Sequence, residues 1–169
     1  MEARGGPVSV SALSREAGIS RSVFYNYFSG LDELALFVLE RALEEIGDAD
    51  IESRQSGGTS GEQTARSSLL RLTMHLGEHL DLYASVFSGS LSAKAYQAAV
   101  DRFATETRII LPHVKYAPAG TNVEAVIAFL SAGIMGLFAA WMRGDVSMSA
   151  DAVADHAMLF VPPWMAARS

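Results

Sequence analysis

The stretch SVSALSREAGISRSVFYNYF, Ser9 to Phe28, decides the fold. It predicts a short helix, a turn at Gly18 and a second short helix that begins at Ser20. Leu13 and Ala17 lie four apart, on one face of the first helix. Gly18 stands where a left-handed residue stops a helix at least cost. Ser9 and Ser20 are N-cap residues, whose hydroxyls accept free backbone N–H groups. The second helix carries Arg21, Ser22, Tyr25, Asn26 and Tyr27, groups that hydrogen-bond phosphates and base edges. Val23, Phe24 and Phe28 remain to pack it down. This combination describes a DNA-binding helix-turn-helix over residues 9–28.

The overlapping segment AGISRSVFYNYFSGLDEL resembles the DNA-binding signature of the tetracycline-repressor (TetR) family of transcriptional regulators. The matching features are the Ala17-Gly18 turn, the run from Tyr25 to Phe28, and Asp32-Glu33-Leu34 at the start of a long helix. The resemblance implies an all-α protein in which a helix-turn-helix head joins a C-terminal helical bundle for ligand binding and dimerisation. It implies a ligand-responsive repressor that acts as a homodimer on a palindromic operator in double-stranded DNA, in the cytoplasm. Arg21, Ser22 and Asn26 are then the base readers, Arg favouring guanine and Asn adenine. Ser9, Ser20, Tyr25 and Tyr27 hold phosphates and fix register, and Ser11, one turn into the first helix, is a further DNA contact. For Ser9 and Ser11 the competing reading is simple capping and solvation. The competing reading of Tyr25 is a ring packed inside the head. Two family features are missing: a helix that precedes Ser9, and a lysine where Leu31 stands. The head is therefore expected to lack its first helix, unless translation starts upstream. The alternative is a dimeric small-molecule-binding protein with an incomplete head that does not bind DNA.

Composition bounds the classes. The 169 residues suffice for a core, and half are hydrophobic, which argues against disorder. There is no cysteine, which removes disulfides, thiolate metal sites and thiol chemistry. The net charge of −6 argues against a chain coated in nucleic acid but allows a local contact face. No nucleophile elbow, P-loop, metal cluster or dinucleotide fingerprint is present, so neither an enzyme nor a cofactor is expected.

Further along, Ser29 and Asp32 form an S-x-x-D capping box. The connecting helix is expected to run from Leu31 to Ile46 and to end at Gly47, closing a head of residues 1–47. DADIESRQSGGTSGE, residues 48–62, reads as a flexible linker, and 63–169 as the effector-binding and dimerisation unit. His75 and His79 are four apart, a spacing that metal ligands use, but no third ligand or H-E-x-x-H pattern accompanies them. No metal is expected there. The expected ligand-pocket residues are His75, His79, Tyr83, Phe87, Phe103, Ile134, Met135, Phe138 and Trp141, with plain core as the competing reading. Ala128, Ala132, Gly136 and Ala140 make a small-residue stripe on the helix capped by Asn122. That stripe, with Val153, Ala157 and Val161 on the last helix, is the expected dimer interface. The same helix is uncharged from Ala125 to Met142, but Glu124 and Arg143 close its ends, so a buried helix is expected rather than a membrane span.

Overall fold

The computed structural model describes residues 8–87, 92–114 and 117–166. Among them the chain is all-α. The helices are α1 (Val10–Glu16), α2 (Arg21–Tyr27), α3 (Leu31–Ser56), α4 (Gly61–Glu78), α5 (Leu80–Phe87), α6 (Ser92–Ile110), α7 (Val123–Arg143) and α8 (Ala150–Met158). A 3-10 turn over Leu111–His113 follows α6.

The caps are those that the sequence chemistry favours. Ser9 accepts from the Ala12 N–H, Ser20 from the Val23 N–H and Asn122 from the Ala125 N–H, each at 3.1–3.2 Å. Ser60 and Gln63 form a reciprocal capping box on α4. The box expected at Ser29 and Asp32 is not formed. Gly30 is the N-cap of α3, and the Ser29 N–H donates instead to Glu33 at 2.7 Å. Gly18 adopts φ 67°, the left-handed conformation that the turn between α1 and α2 requires.

The largest departure from expectation is α3. It does not stop at Gly47 but continues to Ser56, so most of the stretch read as a linker is helix. Only residues 57–60 connect it to α4. Two causes are visible. Asp50 and Arg54 pair at i, i+4 along the continued helix, both nearly excluded from solvent. Gly47 serves α6 rather than the helix end, since a Cβ there would lie 2.8 Å from Glu106 Oε2. The left-handed stop falls at Gly57, with φ 66°.

The body packs α3 against α4 and α6, α6 against α7, and α4 against α8. Its core is filled by Leu39, Leu72, Leu76, Ile127, Met135, Phe138 and Val153, all essentially without solvent exposure. By length and composition α7 could cross a membrane. Its Ile127, Leu130, Ile134 and Phe138 are nevertheless buried in the bundle.

Candidate functional site

The N-terminal surface comes first. On α2, Phe24 is the buried anchor. Its ring lies 5.6 Å from that of Phe28, which in turn lies 5.6 Å from Phe37 on α3. At 100° per residue, Ser22 and Asn26 share the side of the helix opposite Phe24, with Tyr25 flanking them. All eight residues expected to face DNA are exposed: Ser9, Ser11, Ser20, Arg21, Ser22, Tyr25, Asn26 and Tyr27. Tyr25 is 56% exposed and meets Phe24 edge-on, so it is not a core ring. Ser9 and Ser20 already accept one backbone N–H each, and a hydroxyl still has its proton to donate.

The second site is a cleft of about 100 Å³ between α3, α4, α6, α7 and the segment after α8. Its walls are mostly aliphatic: Leu43, Ile46, Leu69, Leu72, Leu130 and Ile134, with Phe103 from α6. Polar groups enter from three helices. Asp50 and Arg54 come from α3, Ser68 from α4, and Glu106 and Thr107 from α6. Asp50 Oδ1 accepts from Arg54 Nε at 2.5 Å, and its Oδ2 accepts from the Ser68 hydroxyl at 2.7 Å. Arg54 Nη1 also reaches the Met165 carbonyl at 3.4 Å. Burial, with Glu44, Asp48 and Glu40 nearby, holds the Glu106 carboxyl above the usual carboxylate range. Arg102 opposes this only in part.

The nine residues expected to bind ligand are not brought together. Phe103 and Ile134 line the cleft. Met135 and Phe138 are sealed in the core. Trp141 does not line the cleft. Its Nε1 donates to the Met148 carbonyl at 3.0 Å, and its ring covers Gly77. His75, His79 and Tyr83 form a separate cluster in which His75 Nε2 and the buried Tyr83 hydroxyl are 2.8 Å apart. Burial, then His79, lowers the His75 pKa, and burial raises that of Tyr83. No group of three metal-ligating side chains occurs among the described residues. The side chain of Phe87 lies outside them.

The small-residue surface also differs from expectation. Val153 and Ala157 have no exposed surface in the single chain, because α8 turns its apolar face onto α4. They cannot contact a second copy without unpacking that face. Val161 lines the cleft instead. Ala128 and Ala132 are exposed, while Gly136 and Ala140 are half-buried. Tyr96 of α6 partly covers this stripe, donating to the Ala132 carbonyl at 3.2 Å. Beside it, Phe129 and Phe160 are 64% and 57% exposed and flank a groove floored by Leu130, Gly133 and Ile134.

No protein-family model and no curated protein sequence matches this chain. Among solved structures it is similar to the dihydroxyacetone kinase operon activator DhaS. The TM-score is 0.64 at 17% identity, over 99% of this chain and 90% of that one. The likeness extends over head and body together, and it is a likeness of fold.

Proposed function

We propose that this chain is a DNA-binding transcriptional regulator of the TetR type, a ligand-responsive repressor that works as a homodimer. The observation that carries the reading is α2: a short helix after a left-handed glycine, pinned by Phe24, with Arg21, Ser22, Tyr25, Asn26 and Tyr27 all exposed. The fold likeness to an operon activator supports a regulator without deciding between repression and activation. We assign the reading head to residues 1–47 and the responding body to 63–169, with the continued α3 between them carrying Asp50 and Arg54 into the cleft. Arg21, Ser22 and Asn26 read bases, and Ser9, Ser11, Ser20, Tyr25 and Tyr27 hold phosphates. The effector enters the cleft between α3, α4, α6 and α7, and α3 carries its presence to the head. Self-association uses the exposed side of α7, with Phe129, Ala132 and Gly133, together with Phe160 beyond α8, an apolar patch of the kind that marks interfaces.

Fluorescence anisotropy of the chain with labelled DNA from its own upstream region, over a salt series, tests the reading. Binding that survives unlabelled competitor DNA supports it, and Arg21→Ala or Asn26→Ala then relaxes sequence preference. Equal loss of affinity for all DNA in those variants removes the base-reading assignment. A second reading, a ligand-binding protein whose head does not engage DNA, is favoured by the exposed apolar side chains of Ile19 and Val23 on the head. Weak binding to any DNA, strongly reduced by salt, selects it.

A further inference from the structure

This inference rests on the cleft being the effector site and concerns what enters it. Phe103 and Glu106 are one turn apart on α6, and both line the cleft. We infer that the cleft takes a small apolar cation, an amine or ammonium on an aromatic or short alkyl body, with its charge seated between the Glu106 carboxylate and the Phe103 ring.

Charge matching carries the argument. Three charged side chains line the cleft. Arg54 is matched by Asp50 on its own helix, and Asp50 is held in place by Ser68. That pair is internally neutral, so an incoming anion finds no spare positive charge there. Glu106 is different. Among the described residues it makes no hydrogen bond and no ion pair. Arg102, the cation that acts on Glu106, is paired with Glu40 at 2.6 Å. Glu44 and Asp48 add negative charge from α3, and burial, followed by that field, holds the Glu106 carboxyl above the usual carboxylate range. A cation entering the cleft relieves this repulsion, whereas a carboxylate increases it. A partly desolvated cation is also attracted to an aromatic face.

The backbone makes room for the arrangement. Gly47 lies inside α3, where glycine is less favourable than alanine. A Cβ at this position would come within 2.8 Å of Glu106 Oε2. The glycine thus lets the carboxylate sit against α3 at the mouth of the cleft. The remaining wall, Leu69, Leu72 and Ile134, is aliphatic and suits the apolar body of the ligand. Thr107 has spent its proton on the Phe103 carbonyl at 2.8 Å and keeps only acceptor lone pairs, which suit an ammonium and not a carboxylate.

Three probes of the same shape and different charge decide the matter: benzylamine, benzyl alcohol and benzoate, titrated calorimetrically at neutral pH into the full chain and into Glu106→Gln. The expected result is that benzylamine binds about tenfold tighter than benzyl alcohol. Benzoate binds worst, and Glu106→Gln abolishes the preference for the amine while leaving the alcohol unchanged. A preference for benzoate, an amine preference that survives in Glu106→Gln, or no binding by any probe overturns the inference. Unliganded Glu106→Gln should melt above the parent at neutral pH, with the gap closing in acid as Glu106 takes its proton. That second measurement confirms that the variant folds. Adding benzylamine to the DNA-binding assay separates the two readings. Amine binding with no change in DNA affinity sustains the ligand class and removes the regulatory role of the cleft.

Discussion

The head and the body of this molecule are held together by different amounts of the same force. In the body, α3 to α8 enclose a continuous apolar core in which Leu39, Leu76, Tyr83, Phe138 and Val153 have no contact with solvent. In the head, α1 and α2 contribute one buried apolar side chain, Phe24, and a buried Ser14 whose hydroxyl has no partner among the described residues. Ile19 and Val23 remain about 40% exposed. The head is tied to the rest by the Phe24–Phe28–Phe37 chain of rings and by the Val8 N–H donating to Ser85 at 3.4 Å. Apolar burial scales with area, so the body should dominate cooperative unfolding and the head should open locally at much lower cost.

The strongest way to break this contrast is to cut one large ring from each region. Phe138→Ala should cost about 3–5 kcal/mol in denaturant unfolding, because it opens a cavity in a sealed core. A cost below about 1 kcal/mol would mean that the body is looser than its burial implies. Next in size is His75→Ala. It removes a hydrogen-bond partner of the buried Tyr83 hydroxyl and should cost about 1–2 kcal/mol. The same residue makes stability depend on pH. Burial, then His79, holds His75 below the usual imidazole range, against the opposing pull of Glu78 and Glu45. The unfolded chain therefore takes up this proton more readily. Its contribution is complete above the unfolded value of about 6.5 and is lost as pH falls through the lower folded value. Thermal melts from pH 8 to pH 5 should show that decline, and His75→Gln should flatten it.

Phe24→Ala sharpens the contrast from the other side. The global midpoint should move by less than about 1 kcal/mol, while the amides of α1 and α2 lose their protection from hydrogen exchange. A shift as large as that of Phe138→Ala would show that head and body unfold as one unit. The smallest effect belongs to Arg66→Ala, which breaks the pair with Asp155 between α4 and α8. Both partners are about half exposed, so double-mutant cycles should show little or no coupling, and less in high salt.

Local chemistry made much of this fold legible before any coordinates. Ser9, Gly18, Ser20 and Asn122 each specify a turn or a cap through their own side chain or φ angle, and each acts at its own position. The Asn122 cap and the closing Arg143 placed α7 within a residue or two. What failed was decided by distant contacts. Gly47 reads as a stop only if the approach of Glu106 is unknown. Asp50, Arg54 and Ser68 sit in or beside a stretch that looks like a linker, yet they supply the polar side of the cleft. The i, i+4 spacing of Asp50 and Arg54 was the signal that could have exposed it. Val153 and Ala157 read as interface because nothing in their spacing says which helix, α4 or one in a second copy, covers them. Aromatic residues were favoured over aliphatic ones for the pocket, although the cleft turned out mainly aliphatic.

The unbroken run of α3 has a mechanical consequence. Leu31 begins it beside the head and Asp50 sits at the cleft, and nineteen residues of helix span about 28 Å. No proline interrupts that rod. Pivoting it by about 5° at the cleft sweeps its head end through about 2–3 Å, close to the rise of one base pair in duplex DNA. In the proposed regulator, an adjustment at the cleft no larger than a side-chain resettling would thereby be geared up to the dimension on which the register of a groove contact is set.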